Sequence, residues 1–302
     1  MIFLTWGITM EFSLIMGTLN RCKEVNICLT SLMKQNFTDF EIIIIDQSTN
    51  NETKDLINED SFKKLLIKYK KVDFRGLSRA RNEALKLASG KYFALIDDDA
   101  SYDENYLRKA HDQLNTEEKI ILSGYIYSPL KKNIMKDYCV TKNGAKLTLR
   151  KILRMAPSPA LVFPMELYKK GLRFDEEFGV GAKYGACEET DIILRALDEG
   201  YAVRYCSEMI VQHPTIVHSF EVENTTIQKK RESYSFGLGA LFAKDKLYRG
   251  SSRLLFYEIE KKVKLYIKKT GFFGNNKKQQ AISELRGLVM GKREYGERTN
   301  DT

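Results

Sequence analysis

Two apolar runs that end in acid decide the fold: Glu41-Ile-Ile-Ile-Ile-Asp46 and Tyr92-Phe-Ala-Leu-Ile-Asp97-Asp98-Asp99. Both runs are too continuously apolar for a strand with one face in water, so both are predicted to be central parallel strands covered on both faces. Further strands are predicted over residues 11–18 and 65–72, and helices over residues 21–34, 52–57 and 77–87. This alternation of strand and helix predicts a doubly wound, Rossmann-like α/β sheet with helices on both faces.

The pattern changes after Leu114. Strands are predicted over residues 120–128, 160–163 and 203–211, which makes a mostly parallel sheet that is mixed at one edge. A glycine-rich loop over residues 179–185 leads into a helix over residues 188–199, and helices rich in Lys and Arg follow from residue 225. We therefore predict a leader over residues 1–10, an α/β domain over residues 11–245 and a basic C-terminal helical extension over residues 246–302.

The composition is that of a globular protein, with 43% hydrophobic and 29% charged residues in 302. It excludes collagen, a coiled coil, a disulfide-rich mini-protein and a disordered chain. The net charge of +9 favours anionic partners such as nucleotides, phospholipid surfaces or nucleic acid.

The cysteines and the apolar segments indicate the compartment. Five scattered cysteines without a CxxC pair predict neither a disulfide framework nor a zinc site. The sequence shows no run of roughly 18 apolar residues and no secretory signal. We expect a cytoplasmic protein.

Acidic residues follow the two central strands, at Asp46 and at Asp97 to Asp99. Ligands of open α/β sheets bind at the carboxyl ends of the strands. Three adjacent carboxylates repel one another unless a cation or a hydrogen-bond donor meets them, and hard oxygen ligands suit Mn²⁺ or Mg²⁺. The alternative is a solvated acidic turn that caps the following helix through Ser101 or Asp103.

A second acidic cluster, Glu188-Glu189-Thr190-Asp191, lies in the first turn of a predicted helix. A helix N-terminus stabilises negative charge, so a carboxylate there stays ionised and able to accept a proton. Glu188 and Asp191 share a helix face, and Glu189 projects about 100° away from it. The alternative is charge–dipole capping alone, with Asp191 paired to Arg195.

Arginine and histidine side chains are the candidate cationic ligands. Arg79 and Arg81 lie two residues apart on a helix, so only one of them is expected to face a cleft, where arginine binds phosphate through two nitrogens. The alternative is a basic helix surface. Of His213 and His218, which follow the last strand, His213 is the better candidate for a metal ligand. The alternative for either histidine is a structural side chain.

Five motifs in their order along the chain resemble the family 2 glycosyltransferases of GT-A fold. These motifs are Thr18-Leu-Asn20-Arg21, Asp46, Gly76-Leu-Ser-Arg-Ala-Arg81-Asn82, Asp97-Asp98-Asp99 and Glu188-Glu189-Thr-Asp191. The segment Arg173-Phe-Asp-Glu-Glu-Phe178 is similar to the segment that precedes the family's glycine-rich loop. The resemblance covers about residues 11 to 245.

The resemblance implies a role for each matching position. Thr18 and Asn20 would line the nucleotide pocket, Asp46 would contact the base or ribose, Arg81 would approach the nucleotide or its phosphates, and Asp97 would contact the ribose. Asp99 would hold Mn²⁺ or Mg²⁺ with His213 as a further ligand, and Asp98 fills the variable position of the D-x-D pattern on the donor side. Glu189 would be the catalytic base. The family has Asp where this chain has Glu189, so Asp191 is kept as a second candidate.

The implied activity is inverting transfer of a sugar from a nucleotide-diphosphate donor to a hydroxyl of a glycan or lipid-linked acceptor. The family assembles bacterial surface polysaccharides such as capsules and O-antigens. This mechanism requires that the acids at residues 97–99 and 188–191 border one crevice.

Two alternatives stay open. A sugar nucleotidylyltransferase needs a glycine-rich phosphate loop after the first strand, where residues 17–25 read GTLNRCKEV. A non-catalytic nucleotide-sugar or glycan-binding module would carry the same acids as vestiges. An NAD-dependent dehydrogenase is disfavoured because no GxGxxG follows the first strand.

Basic and apolar residues are interleaved from Lys244 to Lys278, with apolar residues that include Leu254, Ile259 and Val263. Such a stretch can bind an anionic membrane surface, which would place the protein peripherally on the inner face of the plasma membrane. The alternative is a helix packed on the catalytic domain. Nucleic acid is not expected as a partner.

Overall fold

The computed structural model describes residues 10–127, 141–213, 225–249 and 275–298. The described residues form two compact units. Unit 1 comprises residues 10–75, 79–127, 141–173 and 195–213, and unit 2 comprises residues 76–78, 174–194, 225–249 and 275–298. Residues 1–9 of the expected leader, Cys139, His218, and residues 250–274 and 299–302 of the basic extension lie outside the described residues.

Unit 1 contains a sheet of eight strands in the order β3-β2-β1-β4-β7-β6-β8-β5 within the described part of the chain. The strands are β1 Phe12–Thr18, β2 Phe40–Asp46, β3 Ile67–Lys71, β4 Tyr92–Asp97, β5 Ser101–Tyr102, β6 Ile120–Tyr127, β7 Leu161–Pro164 and β8 Ala202–Gln212. Strands β3, β2, β1 and β4 are parallel, β7 runs antiparallel to both β4 and β6, β6 and β8 are parallel, and β5 runs antiparallel to β8. The prediction of a mostly parallel sheet, mixed at one edge, is confirmed.

Helices are present in the segments predicted over residues 21–34, 52–57, 77–87 and 188–199. The helices of the described residues are α1 Cys22–Leu32, α2 Glu52–Ile57, α3 Leu77–Leu87, α4 Tyr106–Leu114, α5 Leu149–Met155, α6 Met165–Lys169, α7 Glu188–Asp198, α8 Thr225–Arg249 and α9 Asn275–Arg298. Helices α4 and α6 were not predicted from the sequence, and neither was helix α5. Its Ile152 and Met155 are both buried, and three positions apart they share a helix face.

The core of unit 1 explains why the two apolar runs are central strands. Every residue of β2 is buried, and Ile42, Ile43, Ile44 and Ile45 are 0% exposed. In β4, Phe93 stacks on Phe163 of β7 with ring centroids 5.0 Å apart. A strand covered on both faces has no polar alternation, which is the pattern that the sequence shows.

The strand register places the acidic residues at one edge of the sheet. Thr18 at the end of β1 is the register partner of Asp46, and Gly17 is the partner of Asp97. At the other side, Ser101 of β5 pairs with Gln212 of β8. Because of this pairing, His213, the residue after β8, lies close to the aspartates that precede β5.

Unit 2 is built on the close packing of α8 and α9. A Cβ added at Gly291 would overlap the carbonyl oxygen of Phe236, and one added at Gly239 would overlap that of Leu288. Glycine at these positions therefore allows the two helix backbones to touch. Next to this contact, the ring of Tyr184 lies 5.6 Å from that of Phe236.

The sequence analysis also made predictions about disulfides and about segments that could cross a membrane. Cys22, Cys28, Cys187 and Cys206 are not in disulfides. None of the helices in the described ranges is long and apolar enough to cross a bilayer.

Candidate active site

A group of two carboxylates and one imidazole lies at the carboxyl edge of the sheet in unit 1. His213 Nε2 is 3.0 Å from Asp99 Oδ1 and 3.7 Å from Asp97 Oδ2. One ligand atom from each residue fits within 4.8 Å of the others. Carboxylate oxygens are preferred ligands of Mg²⁺ and Mn²⁺, and imidazole is a common ligand of divalent metals, so this donor set fits a divalent cation.

Arg21 contacts the acidic triplet from the start of α1. Its Nη1 is 2.9 Å from Asp98 Oδ1, and its Nη2 is 2.6 Å from Asp99 Oδ2. The hydroxyl of Thr18 donates to Asp98 Oδ2 at 2.8 Å. Asp98 is 5% exposed and has both oxygens engaged. Asp98 is therefore held by Arg21 and Thr18, and it is not a solvated turn residue.

Burial and neighbouring charges perturb the acids in opposite directions. Burial raises the pKa of Asp98 to about 7, although Arg21 and Thr18 act against the rise. Burial would also raise the pKa of Asp99, but the hydrogen bond and charge of His213, with those of Arg21, outweigh it and lower that pKa. Burial alone would lower the pKa of His213, and the carboxylates of Asp99 and Asp97 raise it instead.

Arg81 contacts Asp97, one of the two carboxylates of the carboxylate–imidazole group. Its side chain is 1% exposed, its Nη2 lies 3.3 Å from Asp97 Oδ1, and it also hydrogen-bonds the hydroxyl of Ser158. Arg79 is exposed and stacks over the ring of Phe74, 4.0 Å from its centroid. Only one of the two arginines faces inward, as expected from their spacing, and for Arg81 the surface alternative is wrong.

Asp46 organises the loop that follows β2. Its side chain is 0% exposed, its Oδ1 accepts the Ser48 N–H at 2.8 Å, and its Oδ2 accepts the Tyr69 hydroxyl at 2.8 Å. Asn20 joins the same loop: its N–H donates to Ser48 Oγ at 2.7 Å, and its Oδ1 accepts the Thr49 N–H at 3.2 Å. Burial and the hydrogen bond to Asp46 raise the pKa of Tyr69.

This loop borders a cavity of about 780 Å³ at the ends of β2 and β3. The lining includes Ser48, Thr49, Lys71, Phe74 and Arg75. A concave site with an aromatic ring, hydroxyls and cationic side chains can bind an aromatic, anionic ligand.

In unit 2, helix α7 begins at Glu188, as predicted. Glu188 is 4% and Asp191 3% exposed, whereas Glu189 is only partly buried. Gly179 of the glycine-rich loop has φ +103°, and a Cβ there would lie 3.1 Å from Glu188 Oε2. The loop therefore packs on the carboxylate of Glu188. The carboxylate of Glu189 is the more accessible of the two.

Lys244 of α8 binds Asp191, one of the two buried acids of this cluster. Its Nζ is 2.7 Å from Asp191 Oδ1 and 2.6 Å from Asp175 Oδ2, and its side chain is 7% exposed. Arg195 donates to the carbonyl of Arg173 at 2.6 Å. Lys244 is thus a partner of Asp191 that the sequence did not indicate.

Sequence reasoning missed three side chains of these clusters: Arg21, Ser158 and Lys244. Arg21 stands in the first motif, directly after a strand that ends at the acidic edge, and that position was a usable signal. Ser158 lies between two prolines and Lys244 in a lysine-rich segment, and neither pattern distinguishes a contact with an acid.

Fold and site together define an α/β protein with a candidate ligand site at the carboxyl edge of its sheet. The family model described as Glycosyl transferase family 2 matches residues 13–173, which is more than half of the chain. The chain belongs to this family.

Named relatives match shorter stretches. The poly(ribitol-phosphate) beta-N-acetylglucosaminyltransferase TarS of Staphylococcus aureus is 32% identical over 105 residues, which are 33% of this chain and 18% of TarS. The UDP-Glc:alpha-D-GlcNAc-diphosphoundecaprenol beta-1,3-glucosyltransferase WfaP of Escherichia coli is 35% identical over 88 residues, 29% of this chain and 34% of WfaP. The matches thus span about a third or less of these relatives' own length.

Solved structures show the same fold. The crystal structure of S. aureus TarS 1–349 has a TM-score of 0.57 at 18% identity and covers 97% of this chain and 92% of that chain. A mannosyltransferase of Pyrobaculum calidifontis, in complex with GDP-Man and Mn²⁺, has a TM-score of 0.60 at 14% identity and covers 97% and 76%. The expected GT-A fold is confirmed.

Proposed function

We propose that the protein is an inverting, metal-dependent glycosyltransferase that moves a sugar from a nucleotide-diphosphate donor to a hydroxyl of a glycan or lipid-linked saccharide. The observation that carries the proposal is the group formed by Asp97, Asp99 and His213 at the carboxyl edge of a family 2 sheet. Family membership favours this activity over a sugar nucleotidylyltransferase.

The nucleoside is proposed to enter the cavity at the ends of β2 and β3. Asp46 and Asn20 hold the loop at residues 47–49 on one side, and Phe74 and Arg75 line the cavity. Because Asp46 is fully buried, its proposed contribution to base or ribose binding is to fix this loop and Tyr69. A UDP-sugar is the proposed donor, since TarS has been solved in complex with UDP and with UDP-GlcNAc.

Asp99 and His213 are the proposed ligands of Mn²⁺ or Mg²⁺, with Asp97 as an additional ligand. When bound, the ion would neutralise the diphosphate of the leaving nucleotide. Thr18 and Asp98 are hydrogen-bonded to each other beside this site. Arg81 is proposed to hold Asp97 in place, and it is close enough to the acidic edge to add positive charge for the donor phosphates.

Glu189 is the proposed general base. It would take the proton of the acceptor hydroxyl while that oxygen bonds to the anomeric carbon and the bond from this carbon to the donor phosphate oxygen breaks. The nucleotide diphosphate leaves with the electron pair, and the configuration at carbon inverts. Asp191, the second candidate, is buried against Lys244, which favours a structural role for it.

The proposed biological setting is the assembly of a bacterial surface polysaccharide in the cytoplasm. The name of WfaP specifies a lipid diphosphate acceptor, and that of TarS a poly(ribitol-phosphate) acceptor. Contact with an anionic membrane through the stretch from Lys244 to Lys278 is part of the proposal, with Lys244 itself excepted because its side chain is buried against Asp175 and Asp191. Flotation with anionic and neutral liposomes tests it, and flotation with neither would refute the membrane contact.

The deciding experiment is a panel of UDP-, GDP- and dTDP-sugars assayed for release of the nucleotide diphosphate, with and without saccharide acceptors and with Mn²⁺. We expect release from one nucleotide class, faster with acceptor, and strong loss in Asp99→Asn. Binding of a nucleotide-sugar by calorimetry without release under any condition would instead favour the non-catalytic binding module.

A further inference from the structure

Arg21 places a positive charge next to the acidic residues at the carboxyl edge of the sheet. The guanidinium lies within ion-pair distance of two adjacent carboxylates, 2.9 Å from Asp98 Oδ1 and 2.6 Å from Asp99 Oδ2. Adjacent aspartates at the end of a buried strand repel one another, and a guanidinium relieves that repulsion through directed hydrogen bonds. Of the two oxygens of Asp99, Arg21 holds one and His213 contacts the other.

The two arginines at this edge differ in their freedom to move. Arg81 is 1% exposed, so moving its guanidinium away from Asp97 would require rearranging a charge that is buried in the protein. The side chain of Arg21 is 40% exposed and can turn toward water at little desolvation cost. A third acid is also within reach, because Glu24 Oε1 in the first turn of α1 is 3.8 Å from Arg21 Nε.

We infer that Arg21 is an exchangeable counter-ion of the metal site: it neutralises Asp98 and Asp99 in the metal-free protein and releases Asp99 when a divalent cation binds. Glu24 receives the released guanidinium. The inference rests on the proposed metal site and adds a cost to metal binding, because the cation must compete with a positive charge that is already in place. The bare protein therefore binds Mn²⁺ more weakly than its carboxylates alone would allow.

The test measures Mn²⁺ binding to the full chain after chelation and dialysis, by calorimetry and by the EPR signal of free Mn²⁺, without any sugar nucleotide. Arg21→Met removes the charge and keeps most of the stem. We expect it to bind Mn²⁺ roughly tenfold more tightly than the wild type, the scale for removing one charge near a partly exposed site. Arg21→Lys keeps the charge and should bind Mn²⁺ within about threefold of the wild type.

Lys23→Met is the matched control, because it removes the same charge from an exposed position of the same helix. It should change the affinity by less than about twofold, since exposed charges are screened. If Arg21→Met binds Mn²⁺ with unchanged or weaker affinity, or if Lys23→Met tightens binding equally, the inference is wrong.

A thermal measurement covers the case in which Arg21→Met folds poorly. Metal-free Arg21→Met should melt below the wild type, and saturating Mn²⁺ should raise its melting temperature more than that of the wild type, because the ion takes over the counter-charge. A variant that stays unfolded in saturating Mn²⁺ would contradict the inference. Turnover of a sugar nucleotide plays no part in these measurements, so failure of the proposed activity would be seen separately.

Discussion

Lys244 Nζ lies 2.7 Å from Asp191 Oδ1 inside unit 2, where the lysine side chain is 7% and that of Asp191 4% exposed. The same ammonium is 2.6 Å from Asp175 Oδ2 and 5.0 Å from the centroid of the Phe178 ring. Lys244 thereby joins α8 to the start of α7 and to the segment before the glycine-rich loop. The first turn of α7, which carries Glu189, is thus held by a buried ion pair.

Replacing Lys244 by Met should lower the free energy of unfolding by about 3 to 5 kcal/mol, because two carboxylates would lose a buried cationic partner. Urea denaturation followed by circular dichroism measures the change. The matched control is Lys183→Met, whose pair with Glu294 joins half-exposed side chains at 2.8 Å. That variant should lose about 1 kcal/mol or less, and equal losses in the two would contradict a buried role for Lys244.

Replacing Glu189 by Gln should reduce turnover by about 10² to 10⁴-fold, because the amide cannot accept the acceptor proton. Donor affinity, measured by calorimetry, should change little. Glu189→Asp restores a carboxylate that reaches one methylene less far and should recover part of the activity. Asp191→Asn should chiefly lower stability, and unchanged turnover in Glu189→Gln would remove Glu189 from the mechanism.

Treatment with EDTA should suppress donor binding and turnover together, because the ion bound by Asp99 and His213 would no longer neutralise the diphosphate. Added Mn²⁺ should restore both in the wild type. Asp99→Asn should need a much higher Mn²⁺ concentration for the same donor affinity. Full activity in metal-free buffer would refute the assignment of Asp99.

Replacing Gly291 by Ala should destabilise unit 2 by about 1 to 3 kcal/mol, because the added Cβ overlaps the carbonyl of Phe236 and forces α8 and α9 apart. Gly296→Ala on the same helix is the control, since a Cβ there has open space. Alanine favours the helix, so this variant should be as stable as the wild type or more stable by up to about 1 kcal/mol. Thermal melts of the two variants compare the effects, and an undisturbed Gly291→Ala would contradict the close helix contact.

We expect Glu41 to make a contribution to the stability of unit 1 that is lost in acid. Burial alone would raise its pKa, but the Lys68 ion pair and the hydrogen bonds from Ser13 and Ser89 outweigh burial and lower that pKa below 4.5. Because the folded value lies below the unfolded one, the contribution is present above pH 4.5 and is lost as the pH falls from 4.5 through the folded pKa.

Glu41→Gln should therefore lose about 1 to 3 kcal/mol at pH 7 and should show a shallower fall in stability below pH 4.5. Urea titrations at several pH values between 3 and 7 measure the difference. If the two proteins lose stability in parallel as the pH falls, Glu41 is not the group responsible.

The pattern of apolar and polar residues within single strands and helices was enough to predict those parts of the site that each depend on one strand or helix. The runs before Asp46 and Asp97 predicted buried parallel strands, and parallel strands bring their carboxyl ends to one edge. The placement of Glu188 at the start of α7 followed from the glycine-rich loop before it. The relation of residues 97–99 to residues 188–191 across one crevice, the roles of the individual site residues and the domain boundary after residue 245 stay predictions.

By itself, the sequence determined the alternation of elements, the acids at the strand ends and the family motifs, because apolar periodicity and spacing report the burial of each element. Tertiary structure alone decided which cation meets which acid. The pairing of Ser101 with Gln212 brings His213 to Asp99, and the packing of α8 selects Lys244 for Asp191. Such contacts join residues far apart along the chain, and an ion pair depends on where the backbone brings two charges, which periodicity within one element does not encode.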